Sequence, residues 1–407
     1  TGLILSLFVK KGRLKKLSSK KYDVESIKKI YYAKKAVVSF ILVAFSMFFM
    51  QTNSFANTVL ENNPKVLNIN KAHATKFGSL LVQDYQGRIK PVNSLAIEII
   101  NKITRKSSVY GLDANQFFLS MMLYPKVWQE VDFIKVKSER LKSIVDVEKS
   151  AKTISFNDIY TKEGFYKLEG HLEIANKKKS SLRDEFDKDL IKVDERLNIA
   201  YTLFTGDFLR VFPKKGDANN KWLNTNEAVN LLISKDSEAI KNLMQDYYLK
   251  LDLATKDRVS WDEVDASLEN IINYQNQNAN TNVIPSDLKI KAELIFNKYN
   301  IFENLTPVYL ILGFFLLVLI FVNIFKSEVK LEKISKIVLS LLVIAFILHT
   351  FALGLRWYVA GHAPWSNGYE SMIYISWAIV LAGIFFSKQS VLTFHGWSHK
   401  SQLWFQY

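Results

Sequence analysis

Residues 349–377, HTFALGLRWYVAGHAPWSNGYESMIYISW, bring together two histidines, an arginine, a glutamate and six Trp or Tyr side chains. Imidazole nitrogens ligate transition metals, a guanidinium pairs with carboxylates, and aromatic faces can floor a planar apolar ligand. His349 lies in an apolar run, about two helical turns from its end. A charged imidazolium is expensive there, so the ring is expected to be neutral and either hydrogen-bonded to a neighbouring helix or metal-bound. Arg356 follows seven residues later on the same helical face and can meet a carboxylate, a ligand carboxylate included, or reach toward headgroups. His362 stands between Gly361 and Pro364, in a turn whose residues favour extended geometry before proline. It can ligate a metal, or order its loop through Glu370 or a backbone group. Trp357, Tyr358, Trp365, Tyr369, Tyr374 and Trp377 can line a ligand, although aromatics also gather at bilayer interfaces without further function. Ser366 and Asn367 read as a helix start, with Tyr369 and Glu370 at the entry and the carboxylate near the positive helix end.

The elements that must position this loop are apolar helices. Residues 307–325, 337–355 and 371–386 are long, nearly uncharged runs, each fit to cross a bilayer. Residues 36–50, AVVSFILVAFSMFFM, make a shorter run that flanking tyrosines and uncharged residues extend. It reads as a retained helix, or as an export signal; either places the chain downstream of it on the outer side. Residues 2–9 resemble the tail of a further helix. A loop with so many polar groups cannot face lipid, so the 349–377 stretch belongs at the membrane surface or against a protein cavity.

Charge agrees with this layout. The 407 residues carry a net charge of +15, but residues 1–35 alone hold eleven Lys/Arg against two acidic residues. That block lies between apolar segments and reads as a cytoplasmic loop rather than a nucleic-acid site, since no nucleic-acid motif accompanies it. Alternation then places 53–305 outside, the basic loop 326–336 inside, the His362 loop outside and Lys388 inside. The absence of cysteine excludes disulfides, thiol catalysis and a covalently attached c-type haem in this chain.

Residues 53–305 form a polar region with few Gly or Pro breakers. A short strand pair is expected about Gln86–Gly87, followed by a helix capped by Asn93 or Ser94. Apolar periodicity predicts helices over NQFFLSMMLYPKVWQEV and SERLKSIVDVEKS, and one long helix from Lys177 toward Phe212. Further helices start at Asn224, Ser237, Ser260 and Ser286, with NQNANTN a flexible connector. His73, Arg88 and Lys90 lie near the start of this region, where a hairpin with a basic edge explains them as well as a site does. No Ser/His/Asp set, phosphate loop or metal-binding His pair is present, so no catalytic residue and no metal site is assigned.

The fold class is therefore mainly α: a polytopic membrane protein with about four transmembrane helices and a mostly helical extracytoplasmic domain. Its parts are 1–35, a helix end plus basic loop; 36–52, a transmembrane helix; 53–305, the outer domain; 306–390, three transmembrane helices; and 391–407, an atypical tail.

The spacing GHAPWSNGYES resembles the G-H-x-P-x-S-N-x-Y-E-S segment of the haem-handling subunit of system II cytochrome c synthases, which an Arg and a Trp precede as Arg356 and Trp357 do. HATKFGSLLVQDYQGRIKP, KVDERLNIAY and KIKAELIFNKYNIF are similar to fused, Bacteroidetes-type members, so the resemblance covers residue 54 to about 390. It implies a bacterial inner-membrane protein with a periplasmic domain that carries haem outward to Cys-x-x-Cys-His motifs of exported apocytochrome c. Haem, apocytochrome c, lipid and the remaining part of the synthase are the implied partners, and nucleic acid is not. The resemblance nominates His349, Arg356, Trp357, His362 and Trp365 toward haem, with Gly361, Pro364, Ser366, Asn367, Tyr369 and Glu370 as the loop and helix-start motif. The family's tryptophan-rich W-G-x-x-W-x-W-D segment and its external histidines do not occur here, which leads us to expect a fragment with an incomplete haem site. A non-catalytic, membrane-anchored docking module is the competing expectation.

Overall fold

The computed structural model describes residues 58–232, 234–325, 332–366 and 368–403. The 36–52 helix, the N-terminal basic block, most of the 326–336 loop and Asn367 lie outside the described residues. The described residues belong to one compact unit, and it is overwhelmingly helical, as composition and periodicity require.

The polar domain that precedes the membrane-type helices includes α1 (Lys71–Ser79), whose N-cap Asn70 accepts the backbone N–H groups of Ala72 and His73. Strands β1 (Leu81–Gln83) and β2 (Ile89–Pro91) then pair antiparallel, with Val82 opposite Lys90. The turn between them forms because Gly87 adopts φ +87° and the Asp84 carboxylate accepts the N–H groups of Gln86 and Arg88. Helix α2 (Val92–Thr104) follows at once. It begins at Val92 with Pro91 as N-cap, not at Asn93 or Ser94, because those two side chains bond to other helices instead of their own backbone.

Helix α3 (Ala114–Leu123) begins at a reciprocal Asp113/Gln116 capping box and packs a fully buried aromatic cluster. Trp128 meets Phe117 and Phe133 edge-on, with ring centroids 5.1 and 5.7 Å apart. Its indole N–H donates to Ser120 Oγ at 2.8 Å, so the burial leaves no polar orphan. The periodic stretch after Ser138 yields only a short helix, α4 (Glu139–Ile144), between strands β3 (Ile134–Lys135) and β4 (Thr153–Ile154). The expected long helix from Lys177 is divided. Helix α5 (Glu169–Lys177) ends there, and α6 (Glu185–Phe204) starts at an Asp184/Asp187 capping box and stops at Thr205. The chain beyond α6 turns into β5 (Phe212–Pro213), paired with β6 (Trp222–Leu223).

Helix α7 (Thr225–Leu231) starts at Asn224 as the sequence predicts, through an Asn224/Glu227 capping box. Helix α8 (Ser234–Thr255) starts before Ser237, whose hydroxyl instead donates to the Val229 carbonyl. Ser260 and Ser286 cap α9 (Trp261–Asn278) and α10 (Asp287–Tyr299). The first three residues of the predicted connector, Asn276 to Asn278, continue α9, and the rest leaves the helix. Gln275 on α9 donates from Nε2 to the carbonyls of Leu81 and Val211, both at 2.8 Å, tying the first and third hairpins together.

Helix α10 hands the chain to the membrane-type helices through a single left-handed residue, Asn300 at φ +42°. Helices α11 (Ile301–Phe325), α12 (Glu332–Ala360) and α13 (Gly368–Leu403) complete the described fold. Each of these three regions contains a helical stretch long and apolar enough to cross a membrane. Their apolar side chains are largely exposed, including Leu310, Phe314, Ile347 and Ile379, the pattern of surfaces that face lipid or other apolar helices.

Candidate functional site

Helix α12 runs to Ala360, five residues past its predicted apolar span, and ends where Gly361 takes φ +76°. The Gly361 N–H still donates to the Trp357 carbonyl at 2.9 Å. Only a residue tolerant of the left-handed region closes a helix in this way, and glycine does so without a Cβ penalty. The chain then passes through His362 to Ser366 and re-enters helix at Gly368.

Glu370, 2% exposed, organises this turn. Its Oε1 accepts both Nε and Nη2 of Arg356, at 3.2 and 3.0 Å. Its Oε2 accepts the Ser366 backbone N–H at 3.1 Å and the Ser366 hydroxyl at 2.7 Å. One carboxylate therefore holds the end of α12, the loop and the start of α13 in register. Of the options open to Arg356 in the sequence, the structure places it on a carboxylate of the chain itself.

His362 is exposed, and its Nδ1 faces the neighbouring Ala363 carbonyl at 3.1 Å. It orders the loop through backbone, not through Glu370. Trp357, Trp365 and Tyr369 are 55%, 58% and 61% exposed. Trp365 packs edge-on against Tyr374, which stacks on Trp377, and the Trp377 indole N–H donates to Thr350 Oγ1 at 2.8 Å. Pro364 is buried in the turn.

His349 occupies different surroundings. It is 4% exposed, and its ring lies 5.5 Å from that of Phe302 and 5.8 Å from that of Tyr309 on α11. Nδ1 shares a hydrogen bond with the Tyr309 hydroxyl at 3.3 Å. Nε2 is buried and makes no hydrogen bond, although the Ile373 backbone of α13 is near the ring. The two histidines are not brought together. Thirteen residues of mostly continuous helix separate them, well over 15 Å along the axis at 1.5 Å per residue.

The structure adds residues that sequence reasoning missed. Glu293 on α10, 6% exposed, accepts Arg88 Nη2 at 2.8 Å and the Ser94 hydroxyl at 2.6 Å. The same Arg88 nitrogen reaches the Val359 carbonyl, two residues before Gly361, at 3.4 Å. Arg356 in turn lies 5.9 Å from the centroid of the Phe296 ring on α10. The hairpin thus touches the last turn of α12 through Arg88, whose partner carboxylate on α10 is almost wholly buried. No local pattern marks Glu293; the charged partner is 205 positions away.

His73 and Lys90 do not join this group. His73 is 1% exposed, with Nδ1 2.6 Å from Asp265 and Nε2 3.0 Å from the Tyr247 hydroxyl. Burial lowers its pKa, and it raises that of Tyr247 well above the phenol range. The neutral tautomer that satisfies both contacts donates from Nδ1 to the carboxylate and accepts from the phenol at Nε2. Lys90 is buried between Glu98, at 2.7 Å, and Asp84. Both are structural ties of the polar domain.

No family model matches the chain. The sequence is 40% identical over 315 residues to Protein NrfI of Wolinella succinogenes, a stretch covering 77% of this chain and 34% of that protein. The chain spans about a third of the length of that relative.

Proposed function

We propose that this chain is part of a membrane protein of cytochrome c biogenesis that handles haem for attachment to exported apocytochrome c, of the system II type, with the outer domain on the periplasmic face of the inner membrane. The observation that carries the reading is the Gly361–Glu370 loop, a match to the family segment at fixed spacing, held by one buried carboxylate between two membrane-type helices. Kinship with Protein NrfI over most of the chain supports it.

The residues present fit haem in part. His349 offers a buried imidazole, with Nδ1 at the Tyr309 hydroxyl and Nε2 facing the α13 backbone near Ile373, a ring of the type that a haem iron accepts. Burial among apolar helices keeps that ring neutral, as a metal ligand must be. The exposed faces of Trp357 and Trp365 supply apolar planes at the loop. Arg356 does not fit a propionate, because Glu370 already neutralises it; its contribution is to hold the loop. His362, on the exposed loop and too far from His349 to share its iron, offers a separate imidazole outside the helices. When bound, haem supplies the vinyl groups to which cysteine thiols of an apocytochrome add. The chain's own residues bind, orient and shield, and none of them is assigned a proton transfer.

A docking module without haem is the second reading, favoured by the size of the outer domain. Purification from membranes of cells making haem separates the two. The haem reading expects a Soret band that travels with the protein and shrinks in His349→Ala. Capture of a Cys-x-x-Cys-His peptide by a colourless protein would support the docking module instead.

A further inference from the structure

We propose that Lys289, on the outer-domain helix α10, is the cation that receives a carboxylate of the ligand at the His362 loop; the proposal rests on the haem-handling reading and assigns the propionate contact within it. Lys289 Nζ lies 3.8 Å from where a Cβ on Gly361 would stand. The ammonium therefore sits beside the residue that ends α12 and directly precedes the exposed His362.

Among the described residues three cationic side chains stand at this end of α12, Arg88, Arg356 and Lys289, and the first two are neutralised. Arg88 is taken by Glu293 and Arg356 by Glu370. Lys289 forms no ion pair among the described residues; its capping contact with Ser286 is made by its backbone N–H. A lysine ammonium carries three donors on a flexible stem, suited to an anion that arrives and leaves. Trp357 and Trp365 stand four residues to either side of Gly361, both more than half exposed. An ammonium, an imidazole and two aromatic faces at one loop match an amphiphilic, planar ligand bearing carboxylates. The absence of a side chain at Gly361 leaves the space beside the ammonium open.

The structural alternative is that Lys289 merely complements the carbonyl end of α12. Haemin and its dimethyl ester distinguish these, since they differ in the carboxylates and share the ring and iron. The full chain in detergent is titrated with each and followed by the Soret shift. The expected result is that haemin binds about tenfold tighter than the diester, the scale of one partly exposed charge-assisted contact. Lys289→Ala should remove that preference by weakening haemin alone, Lys289→Arg should retain it, and Lys291→Ala on the same helix should leave both affinities unchanged. Equal weakening of haemin and diester in Lys289→Ala, or no change in either, overturns the proposal while leaving the haem reading in place. Failure of the unaltered chain to bind either porphyrin overturns the haem reading and this proposal with it.

Discussion

Arg356 and Glu370 meet across the loop with both guanidinium contacts on a single carboxylate oxygen, Oε1, which leaves Oε2 to hold Ser366. The division of labour has an energetic consequence. Glu370 is almost wholly buried while the Arg356 side chain keeps 30% of its exposure. Removing the arginine strands a buried carboxylate, whereas removing the charge from Glu370 leaves a guanidinium that water can reach.

Arg356→Ala is therefore expected to destabilise the protein by about 2–3 kcal/mol and Glu370→Gln by about 1 kcal/mol. The double variant should cost less than the sum. Unfolding in detergent, followed by circular dichroism, checks this. Equal losses for the two single variants would show that the buried carboxylate is not the dominant charge.

The Arg88–Glu293 pair should couple the outer domain to the end of α12. Glu293→Gln removes the charge-assisted contact and leaves the Ser94 hydrogen bond replaceable, at about 1.5–3 kcal/mol. The expected signature is faster proteolysis at the Gly361–Ser366 loop as well as a lower unfolding midpoint. A lower midpoint with an unchanged cleavage rate at the loop would confine the pair to the outer domain.

His73 is expected to make the polar domain acid-sensitive. Burial lowers its pKa below the ordinary 6.5, against the opposing pull of Asp265. The unfolded chain therefore binds a proton that the folded one refuses as pH falls below about 6.5. Stability supplied by the neutral ring is present above that value and declines as pH drops through the folded pKa. His73→Gln should flatten the stability profile between pH 7 and 5. A profile as steep as that of the unaltered protein would assign the acid sensitivity to other groups.

Topology rests on the alternation of basic loops. Reporter fusions after Lys20 and Lys330 should read as cytoplasmic, and fusions near Asn220 and Gly368 as outer. An outer signal at Lys330 contradicts the arrangement.

Local signals in the sequence were the ones that survived folding. Asn224 with Glu227 and Gly87 in its turn are patterns complete within five residues, and each appears where expected. Glu370 at the entry to α13 was legible in the same way. Where a side chain found a distant partner, the local reading slipped: Ser94 looked like a cap but donates to Glu293, and Ser237 looked like one but bonds backward to Val229. The long helix predicted after Lys177 missed the Asp184–Asp187 box, a start signal inside a charged run that periodicity does not resolve. The tie from Glu293 to the loop region was invisible because α10 reaches the end of α12 only through the tertiary fold.

The proposed role in haem attachment is open to test in cells that lack this protein. The gene is deleted in its own host, and covalent haem on exported c-type cytochromes is measured by peroxidase stain after denaturing electrophoresis. The stained cytochromes are expected to disappear while their apoproteins are still exported. They should return with the intact gene but return much reduced with Trp365→Ala at equal membrane level. Undiminished covalent haem in the deletion strain would contradict that role.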